Sequence, residues 1–176
     1  MSERETQRPL HVVAMGVAGT GKSTIGQLVV ADLGVDLIEG DAFHPQRNID
    51  KMSSGQPLTD EDRQPWLQRL AEIVAAEHEQ GRSSVLACSA LRRRYRDILR
   101  GELPKGSMFF VHLHADFAVL DARMQSREHF MPPSLLQSQF DTLEPLEDDE
   151  DGVVVDVALS VDEVMTQVRE ALRARG

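Results

Sequence analysis

The sequence predicts an α/β protein, a five-stranded parallel sheet flanked by helices in a doubly wound arrangement. Two observations carry that expectation. Five short apolar runs alternate with stretches of helical spacing along 176 residues, the pattern of repeated βαβ units. The clusters of charged and hydroxyl residues each follow one of those runs. That puts them at the carboxyl ends of strands, where open α/β sheets bind their ligands.

The elements follow in order. LHVVAMG, residues 10–16, is an apolar run ending in glycine and reads as a buried parallel strand. A helix is expected from Lys22 to about Leu33, stopped by Gly34. Residues 35–39 form a second short strand. Thr59 is an N-cap for a long helix with acids in its first turn. Trp66, Leu67, Leu70, Ile73 and Val74 keep helical spacing along it, and Gly81 ends it. SSVLACSA and SMFFVHLHA are the third and fourth strands, separated by a helix from Arg92 to Arg100. Asp116 caps a helix running to about Arg127, residues 153–157 are the fifth strand, and Ser160 with Glu163 reads as a capping box for a last helix, residues 161–173. EPLEDDEDG, 144–152, reads as a solvated acidic loop. Residues 1–9 read as a disordered tail, and 10–176 as one domain with a mobile lid at about 124–138.

Bulk properties narrow the function classes. The chain is 41% apolar and 27% charged, ordinary for a soluble domain, with a net charge of -10. Such a charge argues against a nucleic-acid or anionic-membrane partner. One cysteine, Cys88, allows no internal disulfide, which fits a cytoplasmic setting. No signal peptide and no run long enough to span a bilayer are seen.

GVAGTGKS, residues 16–23, matches G-x-x-x-x-G-K-[ST] between an apolar strand and a helix. Successive backbone N–H groups of such a turn wrap phosphate oxygens, and the following helix adds its positive end. Gly16, Val17, Ala18, Gly19, Thr20, Gly21, Lys22, Ser23 and Thr24 are therefore the expected nucleoside triphosphate site. Lys22 is placed to reach the terminal phosphates and the Ser23 hydroxyl to ligate Mg²⁺. The guanine-reading N-K-x-D motif is absent, and D-x-x-G occurs only inside the acidic run, so a GTPase switch is disfavoured.

GDAFHPQRNIDKM, residues 40–52, follows the second strand. Asp41 there is suited to accept a proton from an attacking hydroxyl, to orient it, to hold Mg²⁺ through water, or to cap the next turn. Arg47 offers a fork for a carboxylate, Lys51 a point charge and His44 a hydrogen bond to a hydroxyl, with Asn48 as a helix cap. Together they fit an anionic, hydroxyl-rich small molecule. CSALRRRYR, 88–96, adds a basic cluster of which one or two arginines can reach the cleft, the rest being surface charge or ion pairs; Cys88 is a core residue and Ser89 a candidate for magnesium-bound water. No acid stands directly after this strand, so Asp41 is the acid available to the metal. Arg123 and Arg127 are spaced i, i+4 ahead of a proline-containing segment, and on a closing lid they would neutralise charge in phosphoryl transfer.

GVAGTGKS, EGDAFHPQRNIDKMSSGQPLTDEDRQPWL, CSALRRRYRDILR and SQFDTLEPLE together resemble the thermoresistant gluconokinase family, among the P-loop small-molecule kinases related to shikimate and nucleoside monophosphate kinases. The resemblance runs from about Val12 to Val157. It implies transfer of the ATP γ-phosphate to the 6-hydroxyl of D-gluconate. By that resemblance Asp41 would be the base or the hydroxyl-orienting group, and His44, Arg47 and Lys51 would be gluconate contacts, with Arg92 a weaker candidate. It also implies a homodimer. Relatives commonly carry a lysine-glycine pair in the lid tip, whereas here Arg127 is followed by Glu128 and then directly by His129 and Phe130. Rival expectations keep the chemistry with another polyol acid or a shikimate-like acceptor, or make the chain a nucleotide-binding regulator without an acceptor.

Overall fold

A computed structural model of the chain describes residues 8–126 and 133–175. Five strands, β1 (His11–Met15), β2 (Leu37–Glu39), β3 (Ser84–Ala87), β4 (Met108–His114) and β5 (Gly152–Asp156), form one parallel sheet in the order β2-β3-β1-β4-β5. Val13 lies opposite Leu86 on one side and Phe110 on the other. β1 and β3 are buried along their whole length, and β4 up to its final histidine, because helices cover both faces. The chain leaves β1 toward one edge and returns across it to β4. The switch point thus falls at the carboxyl end of β1, where Gly16 begins the glycine-rich loop.

The helices are α1 (Lys22–Leu33), α2 (Gln46–Ser53), α3 (Asp60–Glu79), α4 (Arg93–Arg100), α5 (Phe117–Gln125), α6 (Pro133–Thr142) and α7 (Val161–Ala174), with a 3₁₀ turn at Gly40–Phe43. α1 ends as expected, with Gly34 in the left-handed conformation and its N–H on the Val30 carbonyl at 2.8 Å. α3 carries the full capping box. The Asp62 N–H meets Thr59 Oγ1 at 3.1 Å, and the Thr59 N–H meets Asp62 Oδ2 at 2.9 Å. Trp66, Leu67, Leu70 and Val74 bury its inner stripe.

Several expectations need correction. Asn48 does not cap α2; it lies inside the helix, fully buried, and Pro45 holds the cap position. At Ser160 the hydroxyl caps the Glu163 N–H, but the Glu163 carboxylate accepts from that hydroxyl at 3.0 Å rather than from the cap's N–H. Asp116 stands at the cap position of α5 without a side-chain hydrogen bond. The lid span of 124–138 divides: 124–126 close α5, 133–138 open α6, and the intervening residues lie outside those described. Pro133 fits the first helical position, where the missing N–H costs nothing. The acidic 144–152 segment is not simply solvated. Glu150 has a fully buried carboxylate paired with the fully buried Arg96 at 2.8 Å. Arg96 also donates to the carbonyls of Ala90, Glu144 and Pro145, so a guanidinium with all its donors satisfied pins the segment to α4.

Candidate active site

The glycine-rich loop is built around one close approach. Gly16 has φ 150°, and a Cβ on it would stand 2.5 Å from the Leu113 carbonyl oxygen of β4. Its N–H donates to Ser89 O at 3.2 Å, tying the loop to the end of β3. Thr20 Oγ1 donates to Val17 O at 3.0 Å, and Lys22 Nζ donates to Gly16 O and Val17 O, both at 3.0 Å. The lysine is thus folded back over the loop. Ala18 N–H donates to Gln139 Oε1 of α6 at 2.7 Å. Ser23 Oγ donates to Glu39 Oε2, the last residue of β2, at 2.9 Å.

The opposite wall comes from the 3₁₀ turn and α3. A cavity of about 490 Å³ is lined on one side by Ala18, Gly19, Gly21, Lys22, Ser23 and Thr24, and on the other by Asp41, His44, Arg63 and Trp66, with Ser89 between. Gly40 lets the turn approach β3; a Cβ there would meet Ala87 O at 2.5 Å. Trp66 Nε1 donates to Gly40 O at 2.8 Å, so α3 holds the turn from below. The His44 ring stacks on Trp66 with centroids 4.0 Å apart and planes 19° from parallel. His44 Nε2 faces Asp41 Oδ1 at 3.8 Å. Burial lowers the His44 pKa, Asp41 pulls it back up, and Arg63 lowers it further, so the ring is neutral near pH 7. Burial pushes the Cys88 thiol up to about 12, and this one buried group feels both Asp41 and Lys22, which brackets it between the two walls.

Other expected site residues are engaged elsewhere. Lys51 is paired with Asp62 Oδ2 at 2.6 Å, bracing α2 against the cap of α3. That contact, with the Thr59 N–H, holds Asp62 at about 2. Arg47 is exposed on α2 and does not line the cavity. Arg92 pairs with Asp60 at 3.3 Å, sharing that carboxylate with Arg94 and the Tyr95 hydroxyl. Arg123 donates to the Val157 carbonyl at the end of β5, while its neighbour Met124 reaches the cavity. Gly16, Val17 and Thr20 shape the loop from behind. Arg127 and Glu128 lie outside the described residues.

Four residues of the site were not singled out from the sequence. Arg63 and Trp66 sit three apart on α3, a spacing that shares one face, and the apolar stripe had drawn attention only to the tryptophan's packing. Glu39 ends a strand, a signal that was available. Gln139 lies in the SQFDTLEPLE stretch that carries the resemblance, but its contact with the loop was not foreseen, because only the fold brings α6 there.

A family model described as shikimate kinase matches residues 18–173. A thermosensitive gluconokinase of Escherichia coli (strain K12) is 44% identical over 164 residues, covering 92% of this chain and 87% of that protein. A gluconokinase of Gluconobacter oxydans (strain 621H) is 49% identical over 155 residues, covering 85% of each. This chain belongs to the gluconokinase family. The crystal structure of a gluconokinase from Sinorhizobium meliloti 1021 superposes with a TM-score of 0.83 at 47% identity, covering 96% of this chain and 92% of that one. The span matched by the family model, 18–173, takes in the 3₁₀ turn, α3 and most of the glycine-rich loop.

Proposed function

We propose that this chain is a gluconokinase that transfers the ATP γ-phosphate to the 6-hydroxyl of D-gluconate, giving 6-phosphogluconate and ADP. The observation that supports this most directly is the shared cavity: Lys22 and Ser23 stand on one wall, Asp41, His44 and Arg63 on the other. Phosphoryl transfer needs that juxtaposition and little else from the protein beyond charge stabilisation.

The residues present fit ATP and Mg²⁺. Gly21 opens α1 in the left-handed conformation with empty space where a Cβ would stand, and the N–H groups of such a turn at a helix start suit phosphate oxygens. Ser23 with Glu39 would hold the magnesium through a hydroxyl and a carboxylate, with Asp41 adding a contact through water. Among the described residues no group of three or more His, Cys, Asp or Glu side chains could hold a metal, and an ion completed by phosphate oxygens needs none. Bound Mg²⁺ supplies charge neutralisation between the phosphates.

Asp41 is the group placed to take the proton from the 6-hydroxyl as that oxygen attacks phosphorus. His44 donates to a gluconate hydroxyl, and Arg63 offers its guanidinium to the carboxylate. Lys51 is paired with Asp62 and Arg47 stands outside the cavity lining, so neither is assigned a gluconate contact; Arg127 keeps the charge-neutralising role its sequence position suggests, and Arg123 would have to leave the Val157 carbonyl to share it. Net charge of -10 and the single cysteine support a cytoplasmic enzyme without a nucleic-acid partner, and the family supports a homodimer. No described helix is long and apolar enough to cross a membrane.

An ADP-release assay across gluconate, other sugar acids, shikimate and nucleoside monophosphates tests the reading. Gluconate is expected to give Mg²⁺-dependent ADP well above every other acceptor. Faster turnover with shikimate or a nucleotide, or no acceptor-dependent ADP at all, would reject it.

A further inference from the structure

His44 has two ring nitrogens in different surroundings. Nδ1 lies 3.3 Å from the amide nitrogen of Asn48, and Nε2 faces Asp41. Which nitrogen carries the proton decides whether His44 gives or takes a hydrogen bond in the cavity, and the Asn48 side chain decides it.

Asn48 is fully buried inside α2. Its Nδ2 also lies 2.9 Å from the backbone carbonyl oxygen of Asp62 in α3. A carbonyl only accepts, so the Asn48 atom facing it is the NH₂ group. The opposite amide orientation would set oxygen against oxygen there. The same NH₂ is the atom that faces His44 Nδ1, and having given one hydrogen to Asp62 it offers the other to the ring. Nδ1 must then accept, which puts the ring proton on Nε2. Asn48 Oδ1 finds no donor among the described residues, so both N–H groups are used while the oxygen is not.

Three further contacts hold the arrangement. Trp66 stacks on the ring and blocks its rotation out of plane. Asp41 Oδ1 stands 3.8 Å from Nε2, too far for a hydrogen bond but of the charge that favours a proton on that nitrogen. An imidazolium is opposed because its Nδ1–H would point at a donor; burial and the Arg63 charge also disfavour it, while Asp41 favours it.

We infer that Asn48 is a positioning residue that fixes His44 as the neutral Nε2–H tautomer, so that His44 acts in the acceptor site as a hydrogen-bond donor and not as a base. The functional half rests on the placement of gluconate against His44 proposed above. The tautomer does not. The consequence for the reaction is a division of labour. Nε2 already holds its proton and Nδ1 is occupied, so His44 does not take the hydroxyl proton, which is left to Asp41 among the described residues lining the cavity, and His44 steadies the oxygen or the carboxylate that receives it.

The test uses the full chain. Long-range ¹H–¹⁵N spectra of ligand-free protein near neutral pH are expected to show the His44 ring with Nε2 protonated and Nδ1 bare. A Nδ1–H ring, or one exchanging between tautomers, overturns the inference. In Asn48→Ala the single tautomer should be lost; an unchanged Nε2–H ring would show that Asn48 does not set it. Substitutions of His44 itself give an independent kinetic reading that does not need Asn48→Ala to fold. Gln places its amide nitrogen near the former Nε2, and Asn places its own nearer Nδ1. His44→Gln should therefore keep kcat within about 10-fold, and His44→Asn should lose about 10- to 100-fold. Equal losses would reject the donor role. In a His44→Gln background, Asn48→Ala should cost little further kcat, whereas a fully additive loss would mean that Asn48 acts on the fold and not through the ring. Because the spectrum needs no acceptor, failure of the tautomer and failure of the gluconate assignment are read separately.

Discussion

Arg63 reaches the cavity with part of its guanidinium already committed. Nη1 donates to the Tyr95 hydroxyl at 2.9 Å, and the group lies 5.2 Å from the centre of that ring. The anchor leaves other N–H groups of the fork for a ligand without the entropic cost of ordering a loose side chain. Arg63→Ala is expected to lower kcat/KM for gluconate by about 100-fold or more, the scale of a lost charge-assisted contact, with the KM for ATP little changed. Equal effects on both substrates would place Arg63 outside acceptor recognition. On the opposite wall, Lys22→Ala should abolish turnover. Asp41→Asn should cut kcat by about 10²–10⁴-fold with a small change in KM, measured by the same ADP release, and full activity would remove Asp41 from catalysis. At this scale the places of the loop residues and of Asp41 were readable from the strand ends they follow, while the role of Asp41 stayed open among base, orienting group, metal contact and cap. The role of Lys51 was not readable, since its partner Asp62 lies 11 residues away in another helix.

α3 shows how an element can be both a support and a wall. Its start was legible from Thr59 and the acids behind it, and its inner face from the spacing of Trp66, Leu67, Leu70 and Val74. The capping box does more than satisfy orphan N–H groups. Asp62, which completes it, also holds Lys51 of α2, and the Asp62 carbonyl holds Asn48. Thr59→Ala is expected to destabilise the fold by about 1 kcal/mol, measured by chemical unfolding. It should also raise the KM for gluconate, because Arg63 and Trp66 ride on the same first turns. A stability loss with no effect on KM would separate the cap from the wall. α6 was not legible. Two adjacent prolines read as a breaker, and the first-position preference that makes Pro133 a helix start depends on what the preceding chain does.

Across the whole molecule, buried charge sets the acid response. Burial pushes the Glu150 carboxyl up, but hydrogen bonds from Arg96, Arg100 and the Glu147 N–H outweigh it and hold it at about 2, against an ordinary 4.5. A carboxyl depressed on folding adds stability above its unfolded value and loses it as pH falls toward the folded one, here between about pH 5 and 2. His11 and His112 act in a higher window. Burial lowers each to about 4 from 6.5; His78 adds to the effect at His11, with Glu77 opposing, and His114 and Arg96 add to it at His112. The unfolded chain binds more protons there, so stability falls as pH drops from about 6.5 to 4. Thermal melting is expected to show both declines. Glu150→Ala should flatten the lower one and cost about 3–5 kcal/mol, because Arg96 would be left buried without its partner. A melting curve independent of pH from 7 to 3 would contradict both assignments.

The sequence by itself determined the sheet, the glycine-rich cradle and the presence of an acid after the second strand. Each rests on local periods, turn chemistry or fixed spacing, which a chain expresses without knowing its distant neighbours. The tertiary structure alone decided which cations face the cavity and which are spent in pairs. It turned Lys51 and Arg92 to carboxylates of α3, sank Arg96 beside Glu150, and brought forward Arg63 and Gln139. A charged side chain takes its role from whatever opposite charge lies within a few ångströms, and the fold, not the spacing along the chain, sets that distance.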